Sequence, residues 1–189
     1  MLNRKYFKEI REELLSYAEK RRDLIKSAGD AQHLAKKSIF ALQRADTKEA
    51  EELLKKSSTL LQSLVKKYKS EAGIFDEGSF KAALEEYIEA RLFRDFVEGK
   101  SLDAISELPV DSDAYVSGLC DVPGEIVRYA LKSATERKFE VVKRCYEVAE
   151  AIINELIDMD LTGYHRQKFD QAKQALNRLQ QIVYEVSLK

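Results

Sequence analysis

The sequence predicts an all-α protein, a single-domain bundle of about six long helices over residues 1–189. Leu, Ala, Glu, Lys and Arg dominate the composition, as they do in long helices. Seven glycines and two prolines leave room for few turns. Apolar residues recur with the helical period along the whole chain, and no strand-like alternation of useful length interrupts them. A chain of 189 residues suits one core rather than two.

The first helix is predicted to be very long, because one apolar stripe begins at Tyr6 and continues to Leu42. Gly29 lies inside this pattern, and it is the point at which an irregularity is expected. Glycine is tolerated in a helix interior at a cost of about 1 kcal/mol. The pattern therefore predicts one helix that continues past this glycine.

The second and third helices are delimited by capping residues. A capping box that begins at Asp46 opens a helix over residues 47–70, and Gly73 ends it. A third helix is predicted over residues 79–98. It stops at Gly99, which suits the left-handed conformation that often follows a helix C-terminus.

The longest break in the helical pattern lies between residues 99 and 111, where a short helical turn precedes a proline. Asp111 is the expected cap of a fourth helix over residues 114–134. Pro123 lies inside this helix and allows two interpretations. It kinks a single helix near residues 119–123, or Asp121 caps a new helix with the proline in its first turn.

Two further helices are predicted over residues 137–160 and 164–188. The last of them carries an apolar run that is too wide for a single helix stripe. Part of this run is therefore expected to meet another subunit. It consists of Ile182, Val183, Tyr184 and Val186.

Charge is distributed unevenly although the net charge is only −1. Residues 1–70 carry 17 Lys and Arg against 10 Asp and Glu, whereas residues 71–125 carry 4 against 14. Residues 126–189 carry 11 against 9. A basic first third and an acidic middle third are compatible with opposed faces for anionic ligands and for metal cations. Solvated helix surfaces explain the same distribution without a ligand.

Three features that the sequence lacks bear on the protein's compartment and on membrane association. Cys120 and Cys145 stand alone, without the spacing of a zinc site or a disulfide framework, which fits a reducing cytoplasm. The charged start of the chain does not resemble a signal peptide. No apolar window approaches the ~18 residues that a membrane span needs. A cytoplasmic protein with no membrane association is the expectation.

Two acidic pairs are the candidate site. Glu86 and Glu89 lie three apart, and Asp121 and Glu125 lie four apart, so each pair shares one helix face. Carboxylates from two facing helices would suit a hard cation such as Mg²⁺, and a metal-bound water would attack a phosphodiester. The alternative is that these acids are solvated or pair with Lys and Arg.

Three segments together resemble the translin family. AYVSGLCDVPGEIVRYALKSA resembles the family's Y-L-x-G-V-x-D-x-x-G-E-x-x-R helix. YHRQKFDQAKQALNRLQQIVYEVSL resembles its C-terminal R-K-x-x-x-x-K-x-x-x-x-x-x-E-x-x-Y-x-x-S helix. RRDLIKSAGDAQHLAKKSIFALQR looks like its first helix, in which a Ser/Lys/Arg cluster precedes I-F-x-L-x-R. The resemblance covers essentially the whole chain in order and implies a hollow, closed oligomer, an octamer.

The acids separate two branches of this family. Translin itself lacks them, whereas translin-associated factor X (TRAX), the nuclease subunit, has an E-Y-V-E helix and a D-L-T-G-E helix. This chain reads E-Y-I-E and D-V-P-G-E at the matching positions. The resemblance therefore implies that Glu86, Glu89, Asp121 and Glu125 are catalytic and bind Mg²⁺ or Mn²⁺, with the general base left open between Glu125 and Glu86. Pro123 departs from the family's Thr or Ala and puts the local geometry in doubt.

Basic residues on the first and last helices are the expected nucleic-acid contacts. Such residues hold phosphates without reading sequence. The alternative is that they serve solubility and local ion pairing. The candidates are Lys26, Lys36, Lys37, Arg44, Arg166 and Lys168.

The resemblance implies a metal-dependent endoribonuclease that cuts single-stranded RNA inside a homo-octameric shell, with single-stranded DNA as a second ligand. It further implies an archaeal or other microbial member that acts without a separate translin subunit. Two alternatives stay open. One is an oligomer that binds single-stranded nucleic acid without catalysis, and the other is a helical scaffold whose charges only solvate it.

Overall fold

The computed structural model describes residues 2–188, and this part of the chain folds into six α-helices and one short 3₁₀-helix, with no strand. The all-α prediction is thereby confirmed. A 3₁₀-helix at Ile74–Asp76 precedes the third α-helix. The six α-helices are α1 (Arg4–Gln43), α2 (Thr47–Lys67), α3 (Gly78–Glu98), α4 (Ser112–Thr135), α5 (Phe139–Ile157) and α6 (Gly163–Ser187).

Helix α1 is continuous through Gly29, so the irregularity expected there is absent. Its 40 residues extend about 60 Å at 1.5 Å per residue. Only the C-terminal part of α1 contributes to the core, beginning at Leu24. The N-terminal part projects beyond its neighbours and leaves large apolar side chains exposed, among them Tyr6, Phe7, Leu14 and Leu15.

Two of the predicted helix boundaries are confirmed by their caps. The Asp46 side chain accepts a hydrogen bond from the Glu49 backbone N–H at 2.9 Å, at the start of α2. Gly99 ends α3 with a φ of 74°, in the left-handed region where glycine is unstrained. Helix α2 ends at Lys67, three residues earlier than expected, because turns and the 3₁₀-helix occupy the chain before α3.

Helix α4 is a single helix that continues through Pro123. The interpretation in which Asp121 begins a new helix is therefore wrong. A proline in a helix interior costs about 3 kcal/mol. Fully burying one aliphatic side chain contributes about 1.5–3 kcal/mol, and both Val122 and Ile126 are fully buried. Packing on both sides of the proline thus outweighs the lost hydrogen bond.

Gly118 sets the distance between α3 and α4. A Cβ at this position would lie 2.6 Å from Ile88 Cγ2 and 3.0 Å from the Glu85 carbonyl oxygen. Only glycine permits such an approach, and it brings the acid-bearing stretches of the two helices together.

Helix α6 packs on α4 and α5. The apolar run near the end of α6 is buried only in part, because Ile182 is only 2% exposed whereas Tyr184 is 65% exposed. Part of the run predicted to meet another subunit therefore packs inside the chain. Within the described residues, no helix is both long enough and apolar enough to cross a membrane.

Candidate carboxylate site

The two predicted acid pairs belong to one electrostatic cluster between α3 and α4. Burial, with the negative charges of Asp121, Glu86 and Glu125, raises the pKa of Glu89 to about 9. Each of these three neighbours therefore lies close enough to disfavour ionisation of Glu89. The structure brings together all four acids that the sequence singled out.

Glu89 differs from the other three acids in its partners. Among residues 2–188, no hydrogen-bond donor or cation lies within bonding distance of its carboxyl group. Lys168 lowers its pKa only through a longer-range charge effect, which is the weakest of the contributions. Glu89 is thus a half-buried acid whose ionised form has no direct counter-charge.

Asp121 is held by a lysine from α6. The Lys168 Nζ donates to Asp121 Oδ2 at 2.5 Å and to the Ser117 carbonyl oxygen at 3.3 Å. Burial raises the pKa of Asp121, and the Lys168 ammonium opposes this shift. The bond occupies one carboxylate oxygen and leaves the other without a bond to this lysine.

A fifth acid, Glu85, joins the cluster through the same lysine. Lys168 Nζ lies 3.0 Å from Glu85 Oε2, which also accepts a hydrogen bond from the Tyr164 hydroxyl at 3.0 Å. Sequence reasoning missed Glu85 although it lies four residues before Glu89, a spacing that places both on one helix face. Its lysine and tyrosine partners lie too far along the chain for any sequence pattern to show them.

Glu125 is held by one residue of α1 and by one residue of its own helix. Gln43, the last residue of α1, donates from Nε2 to Glu125 Oε2 at 3.0 Å and to its carbonyl oxygen at 2.9 Å. Arg128 Nη1 lies 3.0 Å from Glu125 Oε1, one helical turn further along α4. The Lys132 ammonium donates to the Gln43 carbonyl oxygen at 2.8 Å and so anchors this end of α1.

Glu86 faces α1. Its Oε2 lies 3.7 Å from Lys36 Nζ. Burial raises the pKa of Glu86, which Lys36 and a hydrogen bond from Gln32 oppose. The Lys36 side chain remains 57% exposed, so it lies at the outer edge of the cluster.

The donor set suits a hard cation, since it consists of carboxylate oxygens and lacks sulfur and imidazole. Glu89 supplies the electrostatic reason, because an acid without a counter-charge is stabilised by a nearby cation. The side chains are not gathered for binding, however. Among residues 2–188, no group of three or more Asp, Glu, His or Cys is close enough to hold a metal ion. Internal partners already contact three of the four acids, namely Glu86, Asp121 and Glu125.

The predicted nucleic-acid contacts fall into two groups. Five of the six are exposed: Lys26, Lys36, Lys37, Arg44 and Arg166. Arg44 pairs with Glu49 at 2.7 Å, and Arg166 lies 3.4 Å from Asp170. The prediction that Lys168 contacts nucleic acid is corrected, because this residue is only 9% exposed and its ammonium pairs with Glu85 and Asp121.

Comparisons with known proteins agree with this architecture. The chain matches the Translin family over residues 19–189, and no curated protein matches it. A structure described as "Crystal structure of AfC3PO" is 27% identical, with a TM-score of 0.89 and 97% of each chain covered. "Structure of AfC3PO - duplex RNA complex" is 26% identical, with a TM-score of 0.86 over 97% of each chain.

A third structure, "Crystal structure of apo-NeC3PO", is 22% identical, with a TM-score of 0.88 and 98% of each chain covered, and it shows the fold alone. The family match covers most of the sequence, from residue 19 within α1 to the end, and it includes both acid-bearing helices. This chain belongs to the translin family.

Proposed function

We propose that this protein is a metal-dependent endoribonuclease of the TRAX-like branch that acts on single-stranded RNA. The observation that supports it is Glu89, a half-buried acid with three acidic neighbours and no direct counter-charge. A purely structural acid in such a place would be expected to have a basic partner, because an uncompensated charge is costly when it is buried. Strongly perturbed acids of this kind concentrate at functional sites.

Glu86, Glu89, Asp121 and Glu125 are the residues that would hold Mg²⁺ or Mn²⁺. When bound, such an ion supplies a water of lowered pKa and charge stabilisation at the phosphate. Binding would require Asp121 and Glu125 to share or release their contacts with Lys168, Gln43 and Arg128, none of which is a fixed backbone group. The cluster is therefore adaptable rather than assembled in advance.

The role of general base fits Glu86 better than Glu125. Burial raises the pKa of Glu86, and a raised pKa suits a residue that must both accept and release a proton. Both carboxylate oxygens of Glu125 are instead engaged, by Gln43 and by Arg128.

RNA is the proposed substrate, held by phosphate contacts. Lys36 is the exposed candidate contact that lies beside an acid of the cluster, and Lys26, Lys37, Arg44 and Arg166 are the further candidates. A structurally similar protein is described in a complex with duplex RNA. Duplex RNA therefore belongs in the assay beside single-stranded RNA and single-stranded DNA, although only flexible strands are expected to enter an enclosed cavity.

A closed homo-octamer is the proposed assembly. The projecting part of α1 leaves Tyr6, Phe7, Leu14 and Leu15 between 47% and 64% exposed. An apolar stretch of this extent is typical of a subunit interface. Light scattering is expected to give a mass of eight times 21.7 kDa. A monodisperse monomer at micromolar concentration would contradict the enclosed cavity.

The central experiment incubates the purified protein with labelled single-stranded RNA in Mg²⁺, Mn²⁺ or EDTA. Cleavage is expected with either ion and is expected to vanish in EDTA. Glu89→Gln and Asp121→Asn should each lower the rate by more than about 100-fold, because each removes a ligand rather than an outer-shell partner. Glu185→Gln is the matched control, since Glu185 is an exposed acid on α6 outside the cluster.

A second candidate function is an oligomer that binds single-stranded nucleic acid without cutting it. It is favoured by one observation, namely that no ready group of metal ligands exists among residues 2–188. RNA binding with no cleavage in any metal would establish this second function. Full cleavage in EDTA would exclude the proposed chemistry.

A further inference from the structure

Two exposed aromatic side chains flank the acidic cluster between α3 and α4, one from α1 and one from α6. Phe40 on α1 is 48% exposed, and Tyr164 at the start of α6 is 56% exposed. Single exposed aromatic residues are common on protein surfaces and need no explanation by themselves. What distinguishes these two is that each lies beside acids of the cluster, where the proposed substrate would pass.

Phe40 lies between the two contacts that α1 makes with the acids. Lys36, one turn before it, lies 3.7 Å from Glu86, and Gln43, one turn after it, donates to Glu125 at 3.0 Å. Helical residues spaced by three or four are neighbours on one side of the helix. The exposed ring of Phe40 is therefore placed at the α1 edge of the cluster.

The surroundings of Phe40 along α1 are basic. Lys36 and Lys37 precede it by one turn, Arg44 follows it by one turn, and all three are exposed. No acidic residue occurs in the sequence between positions 31 and 45. Surfaces that bind single-stranded nucleic acid combine cations, which track the phosphates, with aromatic rings on which bases stack. The end of α1 has both components.

Tyr164 lies at the α6 edge of the cluster and is oriented by contacts with it. Its hydroxyl donates to Glu85 Oε2 at 3.0 Å, and the Lys168 ammonium lies over its ring at 5.2 Å from the centroid. The same ammonium lies 2.5 Å from Asp121 Oδ2. Because the lysine lies over one face of a ring that is still 56% exposed, the exposed area belongs to the edges and the other face. A base can stack on that other face.

We propose that Phe40 and Tyr164 each stack one unpaired base of a single strand whose backbone crosses the acids between them. This inference rests on the proposed function and names what selects its single-stranded substrate. Cations hold the phosphates of any strand, whereas the two rings can hold only bases that are unstacked and unpaired. In a duplex the bases already stack on one another, so neither ring would contribute.

The test measures affinity for a labelled single-stranded RNA in EDTA, where binding is observed without cleavage. Phe40→Ala and Tyr164→Ala are each expected to weaken binding by between about 5-fold and 100-fold, as the removal of a stacking ring does. The slope of log affinity against log salt concentration should stay unchanged, because neither variant removes a charge. Phe139→Ala is the control, since Phe139 is an exposed aromatic residue on α5, which carries none of the acids of the cluster.

Conservative variants separate stacking from a role in folding or assembly. Phe40→Tyr and Tyr164→Phe keep a ring, so each should bind within about threefold of the wild type. Phe40→Leu keeps an apolar side chain without a ring and should bind as weakly as Phe40→Ala. All variants should keep the wild-type mass in light scattering. Wild-type affinity in Phe40→Leu, or a changed mass in the alanine variants, would overturn the inference.

The ligand provides a second, independent readout. An abasic strand of the same length keeps the phosphates and lacks the bases, so the wild type and the double variant Phe40→Ala with Tyr164→Ala should bind it equally. The two proteins should also bind duplex RNA equally. If the double variant weakens binding of all three ligands to the same extent, the rings do not stack bases and the inference is overturned.

The result also separates this inference from the proposed function. A wild type that binds and cuts single-stranded RNA, with alanine variants that bind it equally well, overturns the stacking role alone. A wild type that binds no single-stranded RNA overturns both.

Discussion

The two faces of α3 carry acids in opposite circumstances. Toward α2, Asp95 is 4% exposed and pairs with both Arg91 and Arg94. Toward α4, Glu89 is half-buried among other acids and pairs with no cation directly. Both acids come from the same helix. They differ in the charges beside them, because Asp95 has Arg91 and Arg94 of its own helix within reach, whereas Glu89 lies near acids of α4.

The α2 side of α3 is a closed network. Glu107 accepts a hydrogen bond from the Tyr87 hydroxyl at 2.7 Å and lies 3.5 Å from Arg91 Nε, while Arg94 Nη1 lies 2.7 Å from Glu51 Oε2. Burial acts to raise the pKa of Glu107, but the tyrosine and the arginines lower it overall. Acids with such partners hold helices together.

On the α4 side of α3, the charged form of Glu89 is electrostatically unfavourable, which a purely structural set of acids would not require. The raised pKa of Glu89 is the sign of that penalty, because each pKa unit measures a cost to the charged form. A protein tolerates such local conflict mainly where a ligand relieves it. The comparison thus distinguishes acids that stabilise the fold from acids that are available to bind a cation.

The largest effect on stability is expected from Asp95→Ala. Breaking a buried ion pair costs about 3–5 kcal/mol, and Arg91 and Arg94 would keep only their more exposed partners Glu107 and Glu51. Urea unfolding should show this loss, with Glu89→Gln as the comparison on the opposite face. Glu89→Gln should not destabilise the metal-free protein. Equal losses in the two variants would mean that both faces of α3 are structural.

An intermediate effect is expected from Gly118→Ala. The added Cβ would lie 2.6 Å from Ile88 Cγ2, and overpacking of this kind costs about 1–3 kcal/mol. It should also force α3 and α4 apart and slow RNA cleavage. Gly124→Ala is the control, because nothing lies within 4 Å of its Cβ, and the alanine should stabilise the helix by about 0.5–1 kcal/mol. The same response from both glycines would show that close packing is not what Gly118 provides.

A separate, pH-dependent effect is expected in EDTA. The pKa of Glu89 is raised from 4.5 to about 9, so the folded state retains a proton that the unfolded state releases. The stability contributed by this proton is fully present below the pKa of Glu89 in the unfolded state. It is lost as pH rises toward the pKa of Glu89 in the folded state. Glu89→Gln lacks this loss. Its Tm should therefore rise relative to the wild type between about pH 5 and pH 9, as calorimetry would measure; a constant difference would contradict the assigned pKa.

The smallest effect on stability is expected for Lys36→Ala with Lys37→Ala. Exposed pairs contribute at most about 1 kcal/mol, so unfolding should barely change. Affinity for single-stranded RNA should fall. The slope of log affinity against log salt concentration should decrease by the equivalent of about one to two phosphate contacts. Lys55→Ala with Lys56→Ala is the matched control, since this exposed lysine pair lies on α2. If both pairs change the salt dependence equally, the RNA does not follow α1.

Most of the helices were predictable because their signals are local. The capping box at Asp46, the glycine at position 99 and the apolar period act within a few residues, and the structure repeats them. Pro123 was ambiguous for the same reason. A local rule assigns it a cost, whereas burial of the neighbouring Val122 and Ile126, which the sequence does not show, decides that α4 continues.

The sequence by itself determined the helical fold, the family and the two acid pairs, because spacing along a helix fixes which side chains share a face. The tertiary structure alone decided which charges meet. Lys168 reaches Asp121 from 47 residues away, and Gln43 reaches Glu125 from 82 residues away. It also decided that Glu89 lies among acids from α4. Electrostatic energies depend on distance in space and on burial, and neither follows from position along the chain.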